Sequence, residues 1–321
     1  MTATVWARTA TSVGPDLPRT AAWSDRMPTN DTPSPADPAF DDQARADLDT
    51  WREDYVARLA APDGPWAACA LVWLADGVTR VGSAADAEVR LPATVPPLVA
   101  RLVRTAAGVT VTPEPPGALW VEGAALGSAT IVERGDRVFA TGPGPLAPRF
   151  VVLVRGARHG VRVYDPRRST ERDPRRHVAW YPVTPGWRIW GRLEPAVAGA
   201  TVRVVNVLGD TSDVPAAGWL RFRREGVEHA LLATWAGARL FVNVRDAGSG
   251  PESYGAGRFL TVEPAAHRRV LLDFHRLHHP PCAHTPFATC PLPPLANRLP
   301  FVLRAGERHA TDNTDSHAAA P

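Results

Sequence analysis

Lysine is absent from this chain: all 36 cationic side chains are arginine. With the many alanines, that absence reads as the codon bias of a GC-rich genome rather than as chemistry. Cysteine is scarce as well. Three cysteines are too few for the disulfide framework of a small secreted domain. No run approaches the roughly 18 apolar residues that a membrane helix needs. The N-terminus lacks the apolar core of a signal peptide, so the cytoplasm is the expected compartment. A dominant charge is missing too, since the net charge is only +3. The densest arginine run, Arg167 to Arg176, is interrupted by Glu171 and Asp173 and has no aromatic platforms. That argues against a nucleic-acid groove, and a membrane partner is not expected either. No Gly-rich nucleotide loop or kinase signature occurs.

What is present fits a strand-and-turn protein. The chain has 33 prolines and 25 glycines, high for a helical fold. Its length accommodates two domains with well-buried cores. Residues 1–40 show no periodicity and read as a disordered extension, with Met27 the expected start codon. Residues 309–321 read as a disordered tail. From Asp41 to Ala60, Leu48, Trp51, Tyr55 and Leu59 recur at spacings of three and four, which predicts an amphipathic helix. Trp66 to Leu74 is apolar throughout and fits a buried strand or a short buried helix.

Short strands punctuated by Gly and Pro follow from Thr79 to Tyr164 and suggest a β-sandwich, giving a first domain over 41–165. The polar, Pro-containing stretch Asp165 to His177 is the expected boundary. The second domain, 177–308, carries eight strand signals with short connections, among them Trp187–Leu193, Trp219–Arg224, Arg258–Val262, Val270–His275 and Leu299–Arg304. Eight such strands suit an antiparallel barrel with room for a small ligand.

Two stretches of this second domain carry candidate chemistry. Asp246 to Arg258 packs Asp246, Ser249, Glu252, Tyr254 and Arg258 around glycines in a short connection. Glu252 could serve as a general base in a pocket, and Arg258 could hold an anion. The structural alternative is a network in which Glu252 pairs with Arg258 and Tyr254 caps a loop. Asp273 to Leu299 is a shaped, Pro-rich loop. Asp273 and His275 share a strand face, and with Tyr254 and Arg298 they could line a barrel mouth.

The same loop holds His278, His279, Cys282, His284 and Cys290. Among these, His279, Cys282, His284 and Cys290 form the donor set of a candidate metal site, one suited to zinc or copper. Their spacing matches no zinc finger, and the alternative is exposed loop histidines. Cys282 and Cys290 fit a reduced buried pair, a disulfide clamp or a thiol activated by a neighbouring imidazolium. Cys69 reads as core.

Several motifs together resemble a bacterial and archaeal family known as domain of unknown function 1684, over residues 51–308. They are Trp51-Arg52 with Pro62-Asp63-Gly64, Tyr181-Pro182 with Trp187-Arg188, Asn206-Val207-Leu208-Gly209, the Asp246–Leu260 motif and the Pro280–Leu299 loop. The resemblance implies no established activity. The family pattern has Asn at His275 and His279, Tyr at Leu277, Thr at Gly248 and an acid at Ala296, so this chain departs from it at polar positions. The first half is also weakly similar to a forkhead-associated sandwich. Gly82-Ser83, Asp86 and Val121-Glu122-Gly123 stand at its turns, but the arginine, serine and asparagine that contact a phosphopeptide are missing.

The expectation is a mainly β cytoplasmic protein that binds a small molecule or is an enzyme. Its site would lie where the Asp246–Arg258 motif meets the Asp273–Asn297 loop. Glu252, Asp273 and Tyr254 would be catalytic, and Asp246, Ser249, Arg258, Arg298 and Asn297 would bind ligand. The alternatives are an interaction scaffold with a forkhead-like domain that cannot take phosphopeptides, and a metalloprotein using the His/Cys loop.

Overall fold

The structure, a computed structural model, describes residues 40–310 apart from 134 and 156. The readings made for residues 1–40 and for 309–321 lie outside it except at 40, 309 and 310, and the His309 amide donates to the Glu252 carbonyl at 3.0 Å, so the tail begins later than expected.

The periodic stretch forms a helix over Asp42–Ala60. Asp41 caps its start by accepting the Ala44 amide at 2.8 Å. Ala61 leaves helical geometry and Pro62 follows, which ends it. Leu48, Tyr55 and Leu59 are buried and Trp51 is half-buried, so the predicted stripe is the packed face.

Two antiparallel sheets follow. One has the spatial order Ala68–Trp73, Arg158–Tyr164, Arg149–Arg155, Arg137–Ala140, Leu119–Val121, Ala124–Leu126. The ambiguous run after Trp66 is therefore a strand. The other runs Val89–Arg90, Gly77–Gly82, Ala100–Thr105, Gly108–Pro113, Thr130–Val132, with only its Val89–Arg90 edge parallel. Val81, Leu102 and Val111 from the second sheet meet Phe139, Phe150 and Val161 from the first in one buried core. Phe139 and Phe150 are cross-strand partners with ring centroids 5.2 Å apart. This is the expected sandwich.

The boundary stretch holds two short helices, Pro166–Thr170 and Pro174–His177, where the sequence reading had a plain polar linker. Each begins Asp-Pro. The Asp165 and Asp173 side chains accept the Arg167 and Arg175 amides at 3.1 and 3.0 Å, and proline presets the first turn.

In the second half the sheet order is Arg258–Val262, Arg239–Val244, Val227–Ala236, Thr211–Arg224, Arg188–Pro195, Arg269–Asp273, with Thr201–Val205 paired to the outer part of Thr211–Arg224. The sheet curls into a half-barrel. Bridges Pro264–Val270 and Phe259–His278 tie each edge strand to the segment flanking the other. Thr211–Arg224 starts eight residues before the expected Trp219, because Pro215 and Gly218 read as turn punctuation. Gly218 instead sits at a bulge with φ +131°, and a Cβ there would meet the Glu194 carbonyl at 2.0 Å.

The curled sheet encloses a filled core. Ile189, Leu220, Leu231, Leu240, Val242, Leu260, Leu272 and Phe274 are buried together. The interior, where a barrel could leave a small-ligand cavity, is packed with apolar side chains.

Leu299–Arg304, expected as an eighth strand, is irregular. The Arg258 guanidinium takes the carbonyls of Leu303, Ala305 and Glu307 at 2.6, 2.5 and 3.0 Å. One arginine thereby satisfies alternate carbonyls that a neighbouring strand would otherwise pair.

Candidate functional site

The Asp246–Arg258 motif is a set of nested turns. Asp246 Oδ1 accepts the Gly248 amide at 2.7 Å, and Ser249 Oγ accepts the Asp246 amide at 3.1 Å. Gly248 has little room: a Cβ there would meet Val302 Cγ1 at 2.8 Å. Arg258 Nη2 donates to Asp246 Oδ2 at 2.8 Å, with both side chains buried.

The Glu252–Arg258 pair of the structural alternative does not form. Glu252 is held by Arg304 through two 2.9 Å bonds and by the Tyr181 hydroxyl at 3.1 Å. Arg304 keeps the Glu252 carboxyl below its usual range, while burial and then Glu252 push the Tyr181 phenol up to about 12.

The other predicted residues divide into separate groups. Asn297 is buried and bonds Leu232 N at 2.6 Å, Leu232 O at 2.8 Å and Asn243 O at 3.0 Å, stitching two strands. Arg298 is exposed. Asp273 accepts from His275 Nδ1 at 2.9 Å and lies 3.4 Å from Arg188 Nε. His275 Nε2 faces the Thr184 carbonyl at 3.1 Å, so both ring nitrogens are engaged.

Motif and loop do meet, at Tyr254. Its amide donates to His279 Nε2 at 3.2 Å and its hydroxyl donates to the Cys282 carbonyl at 3.2 Å. Behind Tyr254 lies a residue the sequence reading passed over, Glu307, with no exposed surface. Glu307 Oε2 accepts the Tyr55 hydroxyl at 2.8 Å and the His279 amide at 2.6 Å. Oε1 lies 3.3 Å from His279 Nδ1 and 3.8 Å from His284 Nε2 without a hydrogen bond of good geometry. Tyr55 also touches the His279 carbonyl at 3.0 Å and His284 Nε2 at 3.1 Å. One phenolic proton therefore has three acceptors within reach.

Burial dominates the electrostatics of this group. It pushes the Glu307 carboxyl up to about 8, against the lowering effect of the His279 amide and Tyr55. Burial lowers His278 to about 4, and burial with the neighbouring His284 holds His279 well below the usual imidazole range. Burial and Glu307 raise the Tyr55 phenol.

The four candidate metal ligands fall into two pairs. His279 and His284 flank Glu307, whereas Cys282 N donates to Cys290 Sγ at 3.2 Å. Among the described residues no group of three or more His, Cys, Asp or Glu could hold a metal ion. His279 illustrates why: Nε2 spends its lone pair on an amide, so the proton sits on Nδ1, facing Glu307.

One signal for Glu307 was available in the sequence. It is the only acidic residue between Asp273 and Asp312, at the end of a histidine-rich stretch. Nothing in the spacing connects Tyr55, 252 residues earlier, to it.

The sandwich, the filled half-barrel and the buried Glu–His–Tyr group define a mainly β protein with one polar seam. Residues 176–308 match the model of the family described as protein of unknown function (DUF1684). The stretches at 51–64 that share the resemblance lie outside the matched span, and the forkhead-associated likeness gains no support from the match. The NMR structure of an uncharacterised protein of Haloarcula marismortui is 28% identical over 41% of this chain and 75% of that one, with a TM-score of 0.35. No curated protein matches. No helix among the described residues is long and apolar enough to cross a membrane.

Proposed function

We propose that the protein is a cytoplasmic small-molecule-binding protein or enzyme, working at the rim of the second domain where the Asp246–Arg258 motif meets the Asp273–Asn297 loop. The observation that carries this is Glu307: a fully buried carboxyl with one oxygen lacking a well-formed hydrogen bond, set behind half-buried Tyr254. Buried titratable groups with specific partners concentrate at functional sites. At neutral pH Glu307 is chiefly a neutral acid, able to donate a proton or hydrogen bond. Tyr55 links it to His284, so a proton can be handed along that row with little movement of heavy atoms. General acid–base work on a small polar molecule fits this arrangement. Glu252 and Asp273 fit it less well, because arginines already engage them. Neither a nucleic acid nor a membrane is a partner in this reading.

The filled interior of the half-barrel favours a second reading, an interaction scaffold whose Pro-rich loop is structural. A thermal-shift panel of small acids, amines and phosphate esters separates the two. The site reading predicts a compound class that raises the melting temperature of wild type but not of Glu307→Gln. If nothing stabilises wild type, or both proteins respond alike, the scaffold reading stands instead.

A further inference from the structure

We propose that Cys282 and Cys290 are a redox-active dithiol that a hydroperoxide converts to a disulfide within the Pro-rich loop. The proposal is independent of the ligand reading, since it requires only the two thiols and their surroundings.

Pro280 and Pro281 fix the entry to a short 3-10 turn, Pro281–Ala283, that carries Cys282. The Cys282 amide points at Cys290 Sγ from 3.2 Å, and the two thiols share a hydrogen bond. All cysteines are reduced in this structure. Each side of the pair is held in place. The Tyr254 hydroxyl binds the Cys282 carbonyl at 3.2 Å, the Val207 amide binds the Cys290 carbonyl at 2.9 Å, and Asn243 Nδ2 binds the Pro291 carbonyl at 2.6 Å. Two cysteines held side by side in one cluster by bonds on both flanks need little motion to join.

The surroundings also assign different roles to the two sulfurs. Cys282 is half-buried, whereas Cys290 is buried at 6% exposure, so an oxidant reaches Cys282 first. The bond shared with Cys290 lowers the Cys282 thiol, while that same bond and burial raise Cys290. Thiolate character and access are what select a reactive cysteine.

The Cys282 thiolate attacks one oxygen of the hydroperoxide, the O–O bond breaks, and water or an alcohol leaves after protonation. Cys282 is then a sulfenic acid. Cys290 sulfur attacks it, the S–S bond forms, and the hydroxyl departs as water with the Cys290 proton. The dithiol loses two electrons and the hydroperoxide gains them. Cys69 is the internal comparison: its thiol faces the Val163 carbonyl at 3.5 Å and burial raises its pKa.

The test treats the full chain with hydrogen peroxide and maps its thiols by alkylation and peptide mass spectrometry. The expected result is joint loss of the Cys282 and Cys290 thiols, a linked peptide lighter by two hydrogens, and an intact Cys69 thiol. A Cys290→Ser protein should accumulate a dimedone-reactive sulfenic acid at Cys282. Persistent thiols at both positions in wild type, or oxidation of Cys282 to sulfinic acid with no linked peptide, would overturn the proposal. The wild-type map decides this even where the variant fails to fold.

Discussion

Arg258 and Asp246 meet at 2.8 Å with side-chain exposures of 0% and 1%. The pair ties the polar motif to the segment Leu303–Glu307, because the same guanidinium binds three carbonyls of that segment. An arginine expected to wait for an anionic ligand is instead the pin that holds the candidate site together.

Removing one member of this pair leaves a buried charge without its partner. Arg258→Ala should therefore lower the unfolding free energy by about 3–5 kcal/mol, and Asp246→Ala should do comparable damage. Replacing both residues together, as Arg258→Met with Asp246→Leu, should cost less than either alanine. Urea denaturation of the four proteins checks the order. A near-silent Arg258→Ala would show that the pin is not structural.

Asn297 makes three hydrogen bonds to buried backbone of two strands. Asn297→Ala leaves those groups unpaired and should cost about 1–3 kcal/mol. Ligand affinity measured on the folded fraction should not move, which would separate this residue from a binding role.

Stability should depend on pH in a specific window. Folded Glu307 titrates near 8 against an ordinary 4.5. Between those values the unfolded chain holds fewer protons at this position, so stability falls as pH rises and is fully reduced above 8. His278 acts in the opposite sense: about 4 when folded against 6.5, so its contribution rises with pH up to 6.5. The two oppose each other below 6.5, and from 6.5 to 8 only Glu307 of the pair acts. The melting temperature of wild type should fall over that upper range, and the fall should flatten in Glu307→Gln.

Tyr55 ties the N-terminal helix to the second domain through Glu307, His279 and His284. Tyr55→Phe keeps the ring packing and removes the tie. Amide hydrogen exchange over residues 42–60 should quicken more than over the sheet at 239–244. Equal protection in both proteins would mean that apolar packing alone docks the helix.

The helix and most strands were legible because each buries one regular face. Leu48, Tyr55 and Leu59 repeat at helical spacing, and Arg258–Val262 is apolar enough to read as a strand. Thr211–Gly218 was hidden by Pro215 and a bulge glycine, which read as turn residues when seen alone. Leu299–Arg304 reads as a strand because its apolar residues face a core, but its Phe301 and Leu303 carbonyls bind the Ala247 amide and Arg258 rather than a strand. The place where motif and loop meet was legible from their chemistry, but the group behind it was not. Tyr55 and Glu307 are brought together by tertiary packing that leaves no local pattern. Polar residues gathered in one motif can be bonded to each other, as Asp246 and Arg258 are, or be drawn off by different neighbours, as Glu252 is by Arg304.

The most direct test of this account is a carbon-13 titration of the glutamate carboxyls in the full chain, with Glu307→Gln assigning the resonance. The account predicts that Glu307 titrates near pH 8, apart from the surface glutamates, and that its midpoint moves when a stabilising compound binds. A Glu307 carboxyl that titrates near 4.5 and ignores every such compound would contradict it.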